Sequence, residues 1–267
     1  ILQKTGLSQE QADAAREGEI VNGCLFLLEQ KYAPRAFVQR KDVIFVIAKN
    51  LTSVSTGMFC LNSKLEQVYM PNLIEVENSD DDYGYGGFRS TALADICLPS
   101  LKLLGSRAFY ECEHLTLVDL PSCEQVGEYC FSSCPRIRRL DLNRVKSFGN
   151  VPFMFCGSLQ TLLISSCEKT KIDLFSYCNS LKTIECKMEV GRFYCSGSCQ
   201  SCPVCKHELL KCFYNGKQLA LEQMRGRQQM LLDQLLNCQI EQKRFVEQIG
   251  EFCGKLDAAA ESLVMKQ

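Results

Sequence analysis

The chain repeats itself every 22 residues, and no other feature restricts its fold as strongly. Units open at Leu93, Leu115, Ile137, Leu159 and Leu181, and upstream at Val21, Val43 and Leu65, with 28 rather than 22 residues separating Leu65 from Leu93. Three residues into each unit stand Cys24, Val46, Val68, Ile96, Val118, Leu140, Leu162 and Ile184. Two further on stand Phe26, Ala48, Met70, Leu98, Leu120, Leu142, Ile164 and Cys186. Sixteen residues in come Phe37, Phe59, Phe109, Phe131, Phe153 and Phe175, and Phe88 takes that role in the long unit. With 15 Phe among 267 residues, six such matches arise by chance with a probability of about 10^-8.

Each unit reads as one short strand with inward residues alternating along it. Pro71, Pro99 and Pro121 end the strand, and Gly105, Gly127 and Gly149 mark a bend twelve residues in. The Phe then returns to the core from the outer side. One such unit cannot bury its apolar face alone, whereas stacked neighbours can. The expected fold is a repeat solenoid.

Two segments carry a resemblance. Residues 93–112 read LADICLPSLKLLGSRAFYEC, and residues 115–134 read LTLVDLPSCEQVGEYCFSSC. The strand, the Pro and the tail Leu104-Gly105-Ser106-Arg107-Ala108-Phe109 before Cys112 resemble the BspA-like leucine-rich repeat family. The likeness covers roughly residues 21–190 and is strongest in the middle five units. It implies a curved leucine-rich-repeat solenoid with a parallel β-sheet on the concave face and an irregular or short helical convex side. It also implies ligand binding by surface rather than chemistry.

Cysteine is the composition's anomaly: 18 Cys beside 2 His and no Trp. Cys112, Cys134, Cys156 and Cys178 share one slot nineteen residues into their units, with Asn62 there in an earlier one. Stacking brings them to steps of about 4.8 Å if the backbone is sheet-like there. Such a ladder satisfies inward-facing backbone groups and fills a narrow space. Disulfide pairing suits it poorly, because each Cys would have two neighbours rather than one partner. The ladder favours a reducing compartment.

Residues between the inward strand positions should face the concave surface. Early units place Leu25, Phe45, Ile47 and Tyr69 there; later ones place Asp95, Asp119, Arg138, Arg139, Asp141 and Glu185. A net charge of −1 and this mixture of signs suit a folded protein or peptide partner. They do not resemble a stripe that tracks phosphates, so no nucleic acid is expected. The candidate partner-binding residues are Tyr69, Asp95, Asp119, Arg138, Arg139, Asp141 and Glu185. Asp80, Asp81 and Asp82 lie in the insertion and lack the spacing of a calcium loop.

After the repeats, residues 195–212 read CSGSCQSCPVCKHELLKC. Cys199, Cys202, His207 and Cys212 give C-x2-C-x4-H-x4-C, which resembles a zinc knuckle, and zinc accepts three thiolates and one imidazole. Cys195 and Cys205 are spare ligands. HELLKCF looks helical, and a five-residue step on a helix turns about 140°, which would part His207 from Cys212. No cofactor is otherwise implied. The alternative is a metal-free Cys-rich cap or linker.

From Leu221 the apolar spacing becomes three and four, through Met224, Gln228, Leu231, Leu235, Cys238, Gln242, Phe245, Ile249, Phe252 and Leu256. This heptad seam predicts a coiled coil, with Leu231, Leu235, Phe245, Ile249, Phe252 and Leu256 meeting a second copy or a partner helix, the alternative being a helix that folds back on the solenoid. Asn215-Gly216 should break or bound the helix on its N-terminal side. At the other end, Ser8-Gln9-Glu10-Gln11 reads as a capping-box start of a short helix that covers the first repeat. The expected organisation is an N-terminal helical cap over 1–20, the solenoid over 21–190, a Cys-rich linker or cap over 191–215 and a coiled-coil helix over 216–267.

No phosphate-binding Gly loop, HExxH or G-x-S-x-G is present, so no enzyme is expected. The residues point to a non-enzymatic cytoplasmic scaffold for protein partners. The alternatives are a secreted or cell-surface BspA-like adhesin, whose N-terminal signal would have been lost, and a zinc-dependent adaptor using residues 195–212. No stretch approaches the roughly 18 apolar residues of a membrane span.

Overall fold

A computed structural model describes residues 1–79, 84–168, 173–187, 193–195, 199–234 and 237. Contacts divide the chain into two units, Ile1–Lys217 and Gln218–Gln267. The first holds all the repeats. Its three-residue strands are β2 (Cys24–Phe26), β3 (Phe45–Ile47), β5 (Gln67–Tyr69), β7 (Asp95–Cys97), β9 (Leu117–Asp119), β11 (Arg139–Asp141), β13 (Thr161–Leu163) and β14 (Thr183–Glu185). Between them lie two-residue strands: β4 (Ser53–Val54), β6 (Glu75–Val76), β8 (Leu103–Leu104), β10 (Gln125–Val126) and β12 (Ser147–Phe148). The short strands form one continuous parallel sheet, in register at the 22-residue period except for a 28-residue step from Glu75 to Leu103, with Gln125 beside Leu103 and Ser147. The longer strands form the other wall in parallel runs β2-β3-β5, β7-β9 and β11-β13-β14, with an antiparallel β1 (Ile20–Val21) at the start. The chain is a β-solenoid, as the period requires.

The core between the walls follows the expected offsets. Val46, Ile96, Leu140, Leu162 and Ile184 are buried, as are Ala48, Met70, Leu98, Leu120, Leu142 and Ile164. The Phe column stacks: ring centroids are 5.8 Å apart for Phe37–Phe59, 5.4 Å for Phe59–Phe88, 5.2 Å for Phe88–Phe109 and 5.6 Å for Phe109–Phe131. Phe88 therefore absorbs the long unit into the column. Phe193, only 18 residues after Phe175, extends it, with the two rings 5.1 Å apart. Core packing thus extends beyond residue 190 to Phe193.

Gly105, Gly127 and Gly149 are needed for proximity rather than for flexibility. A Cβ at Gly105 would collide with the backbone of Glu77, one at Gly127 with Ser106 and one at Gly149 with Glu128. Each glycine lets its turn lie directly on the preceding one.

The first repeat departs from the expected phase. Leu25, not Cys24, pairs with Val46. Leu25 and Leu27 enter the solenoid core, while Cys24 and Phe26 face outward into a second cluster with Leu7, Ala12, Phe45 and Ile47. A one-residue slip exchanges the two faces of a strand. Because both candidates at each position are apolar, hydrophobicity alone does not fix the phase here. The second cluster is closed by α1 (Leu2–Thr5) and α2 (Gln9–Asp13). Ser8 caps α2 through a reciprocal pair of bonds, Gln11 N–H to Ser8 Oγ at 3.1 Å and Ser8 N–H to Gln11 Oε1 at 2.9 Å. The N-terminal helices lie over Phe45 and Ile47, so these two are buried and unavailable to a ligand.

A helix, α3, covers residues 209–234. It runs through Asn215-Gly216, where the sequence suggests a break. Asn215 Nδ2 donates to Lys182 O at 2.8 Å, and a Cβ at Gly216 would collide with the carbonyl of Ile184. Gly216 is there because the helix lies against the last strand. In α3, Leu221, Met224 and Leu231 are exposed. Leu235, Phe245, Ile249, Phe252 and Leu256 lie outside the described residues, as do Asp80, Asp81 and Asp82.

Candidate functional site

The longer strands present two rows of outward side chains. One row is Asp95, Leu117, Arg139, Thr161 and Thr183; the other is Tyr69, Cys97, Asp119, Asp141, Leu163 and Glu185. Tyr69, Asp95, Asp119, Arg139 and Asp141 are exposed. Two further residues belong to this surface: Leu117, at 57% exposure the most open apolar side chain of the strands, and Cys97. They share the offsets of Asp95 and Asp119, and that shared spacing is the signal that identifies them. Arg138 precedes β11 and lines a pocket at the edge of the wall with Thr116, Arg136 and Ser158. Glu185 is only half-exposed, and Ser165 Oγ donates to its Oε1 at 2.8 Å.

The charges on this wall are loosely held. Arg139 and Asp141 approach to 3.9 Å with about half of each side chain in solvent, a pair of little energetic weight. The Thr116 hydroxyl donates to Asp95 Oδ1 at 3.1 Å and the Cys97 thiol to Asp119 Oδ2 at 3.3 Å. Burial, and then the Asp119 carboxylate, raises the Cys97 thiol above its ordinary range. Side chains so weakly committed to one another can repair to an incoming ligand at small cost. The surface therefore offers an apolar centre, Leu117, bordered by acids and one arginine.

The cysteines separate into two environments. In the ladder, each thiol donates to the carbonyl of the Phe one repeat back: Cys112 to Phe88 at 3.2 Å, Cys134 to Phe109, Cys156 to Phe131 and Cys178 to Phe153, each at 3.1 Å. Burial pushes the Cys112 thiol up to about 11 and the Cys156 thiol up to about 12. At Asn62 the same slot is served differently, with Arg40 N–H donating to Oδ1 at 2.7 Å.

Beyond the ladder, the sulfurs of Cys195, Cys199, Cys202 and Cys205 all lie within 4.8 Å of one another. The Cys195–Cys199, Cys199–Cys205 and Cys202–Cys205 separations are 3.4, 3.5 and 3.5 Å. Cys199 and Cys202 meet each other as the C-x2-C spacing suggests, but His207 and Cys212 are not among them. His207 is exposed, and the Cys212 thiol donates to Leu181 O at 3.4 Å. The α3 segment begins at residue 209, so His207 precedes the helix and Cys212 is carried inward on it. Burial opposes ionisation of Cys199, but backbone N–H groups of Tyr177, Ser201 and Cys202 bond its sulfur and bring it down to about 6.

Residues 82–201 match the family model for the BspA type Leucine rich repeat region, in six copies. Solved structures with similar folds include a leucine rich cell surface protein from Faecalibacterium prausnitzii, at 18% identity and a TM-score of 0.37, covering 57% of this chain and 62% of that one. A leucine-rich repeat protein of T. pallidum follows at 19% identity and a TM-score of 0.41, covering 61% and 70%. A leucine-rich repeat protein of Bacteroides ovatus matches at 17% identity and a TM-score of 0.34, covering 60% and 58%. This chain thus spans less than two thirds of the first and third of these proteins. No curated protein matches the chain. Among the described residues, no helix is long and apolar enough to cross a membrane. Over residues 82–201 the chain is therefore similar to the BspA type Leucine rich repeat region.

Proposed function

We propose that this chain is a non-enzymatic scaffold that binds a protein or peptide through the wall formed by β5, β7, β9 and β11. The observation that carries this is the exposed apolar Leu117, held among Asp95, Asp119, Arg139 and Asp141 on a rigid stack. Apolar area supplies affinity and the surrounding charges choose the partner. The α3 segment supplies a second means of association, with a second copy or a partner helix along Met224 and Leu231.

A secreted or cell-surface adhesin is the alternative form of this reading. The thiol ladder does not oppose it. Cys112, Cys134, Cys156 and Cys178 are fully buried, and burial by itself protects a thiol from oxidants.

The test is selection of peptides from a displayed random library against the full chain. Selected peptides should lose binding to the Asp119→Arg, Arg139→Asp double variant while its circular dichroism and melting stay unchanged. Undiminished binding to a correctly folded double variant would remove this wall from the proposal.

A further inference from the structure

Four cysteines converge where the solenoid ends. Their spacing is C-x3-C-x2-C-x2-C over residues 195–205, a stretch with no helix or strand among its described residues. Cys199 and Cys202 are buried, and Cys195 and Cys205 are half-buried against the core. The ladder sets the standard for a cysteine with a purely packing role: a single thiol, one carbonyl acceptor, a fixed place in the repeat. The cluster departs from it, because its sulfurs face each other. A thiol is a weak hydrogen-bond donor and a weak acceptor, so four of them gathered in one place stabilise one another little.

We propose that Cys195, Cys199, Cys202 and Cys205 form a structural site for one tetrahedral zinc ion. Thiolate–zinc bonds of about 2.3 Å in a tetrahedron set sulfur–sulfur edges of about 3.8 Å. The observed separations of 3.4, 3.5 and 3.5 Å, with all four sulfurs within 4.8 Å, bracket that edge. An iron–sulfur cluster distributes its thiolates over several irons and needs a wider cage. A disulfide needs about 2.05 Å, shorter than each of these separations.

The surroundings suit a bound ion. Ser176 Oγ lies 3.1 Å from the Cys195 sulfur and donates its own proton to Asp173 Oδ2 at 2.7 Å. The intervening turn is held by Lys206 N–H to Cys202 O at 3.0 Å and Glu208 N–H to Pro203 O at 2.9 Å. Binding exchanges protons without redox: one Zn2+ and four thiols give the tetrathiolate and release four protons, fewer where a thiol is already ionised. The site lies beside the start of α3, whose buried Leu209, Cys212 and Phe213 close the solenoid, the Phe213 ring 5.5 Å from that of Phe193.

Zinc measured by mass spectrometry in the full chain, purified under reducing conditions, should be one per chain. Cobalt exchanged into the site should show the strong visible absorption of a tetrahedral tetrathiolate. Cys205→Ser should lower zinc to near zero, whereas His207→Ala and Cys212→Ala should retain one zinc and the unaltered cobalt spectrum. If Cys205→Ser fails to fold, the His207→Ala spectrum still decides, since a knuckle using that imidazole would lose or shift its bands. Reduced protein that takes up neither metal overturns the proposal. So does loss of the ion in the folded His207→Ala or Cys212→Ala variant.

Discussion

A thiol in the ladder slot does two jobs in a narrow space. It fills the volume, and it gives the Phe carbonyl of the previous repeat a further donor, beside the Cys112 N–H that reaches Phe109 O at 3.3 Å and the Cys156 N–H that reaches Phe153 O at 3.1 Å. Cys134 to Phe109 at 3.1 Å is representative. The same burial makes ionisation costly, which ties stability to pH. An unfolded thiol loses its proton near pH 8.5, whereas folded Cys112 and Cys156 hold theirs to about 11 and about 12. The native state then binds more protons than the unfolded state, so stability present below pH 8.5 falls as pH rises through 9 to about 12. Urea midpoints should be lower at pH 10 than at pH 7, and less so in a Cys134→Ser, Cys156→Ser double variant. Equal midpoints at the two pH values would contradict this account. The ladder and its role are legible from the shared offset. The identity of the acceptor is not, because it lies 25 residues back on another turn.

At the scale of one repeat, the decisive contact is backbone against backbone. Gly127 lies where any Cβ would strike Ser106, and relief requires the turns to separate. Gly127→Ala should therefore cost about 1–3 kcal/mol in urea unfolding, the range for overpacking a close contact. Gly157→Ala is the control. A Cβ there meets nothing within 4 Å, so its midpoint should hardly move. The two glycines look alike in the sequence except for the period that places Gly127. The first repeat shows the opposite limit of pattern reading. Cys24-Leu25-Phe26-Leu27 is apolar at every position, so it is compatible with either face inward. Pairing of Leu25 with Val46 settles the phase, and α1 and α2 then make use of the face left outside. Gly216 was similarly ambiguous: a helix-breaking signal in the sequence proved to be a close-packing residue inside α3.

Among the described residues, two surfaces are open to partners. One is the wall around Leu117, shaped by rigid stacking. The other is the exposed stripe of α3, where Met224 and Leu231 stand at half exposure. An amphipathic helix of this kind gains most of its stability by burying that stripe. Light scattering should give the full chain a mass above that of one copy, and Met224→Glu with Leu231→Glu should return it to a monomer. A monomeric parent chain would exclude self-association and leave a partner helix as the occupant.

Periodicity alone determined the solenoid, the Phe column, the Cys ladder and the glycine turns. Each is a local rule repeated every 22 residues, and a repeat makes local rules global. Tertiary structure decided what happens where the period stops. It set the phase of the first strand, the extension of core packing to Phe193 and the covering of Phe45 and Ile47. It also chose which four of six neighbouring ligands meet, replacing His207 and Cys212 with Cys195 and Cys205. Those outcomes depend on distances between residues whose spacing follows no repeat, and only packing fixes them.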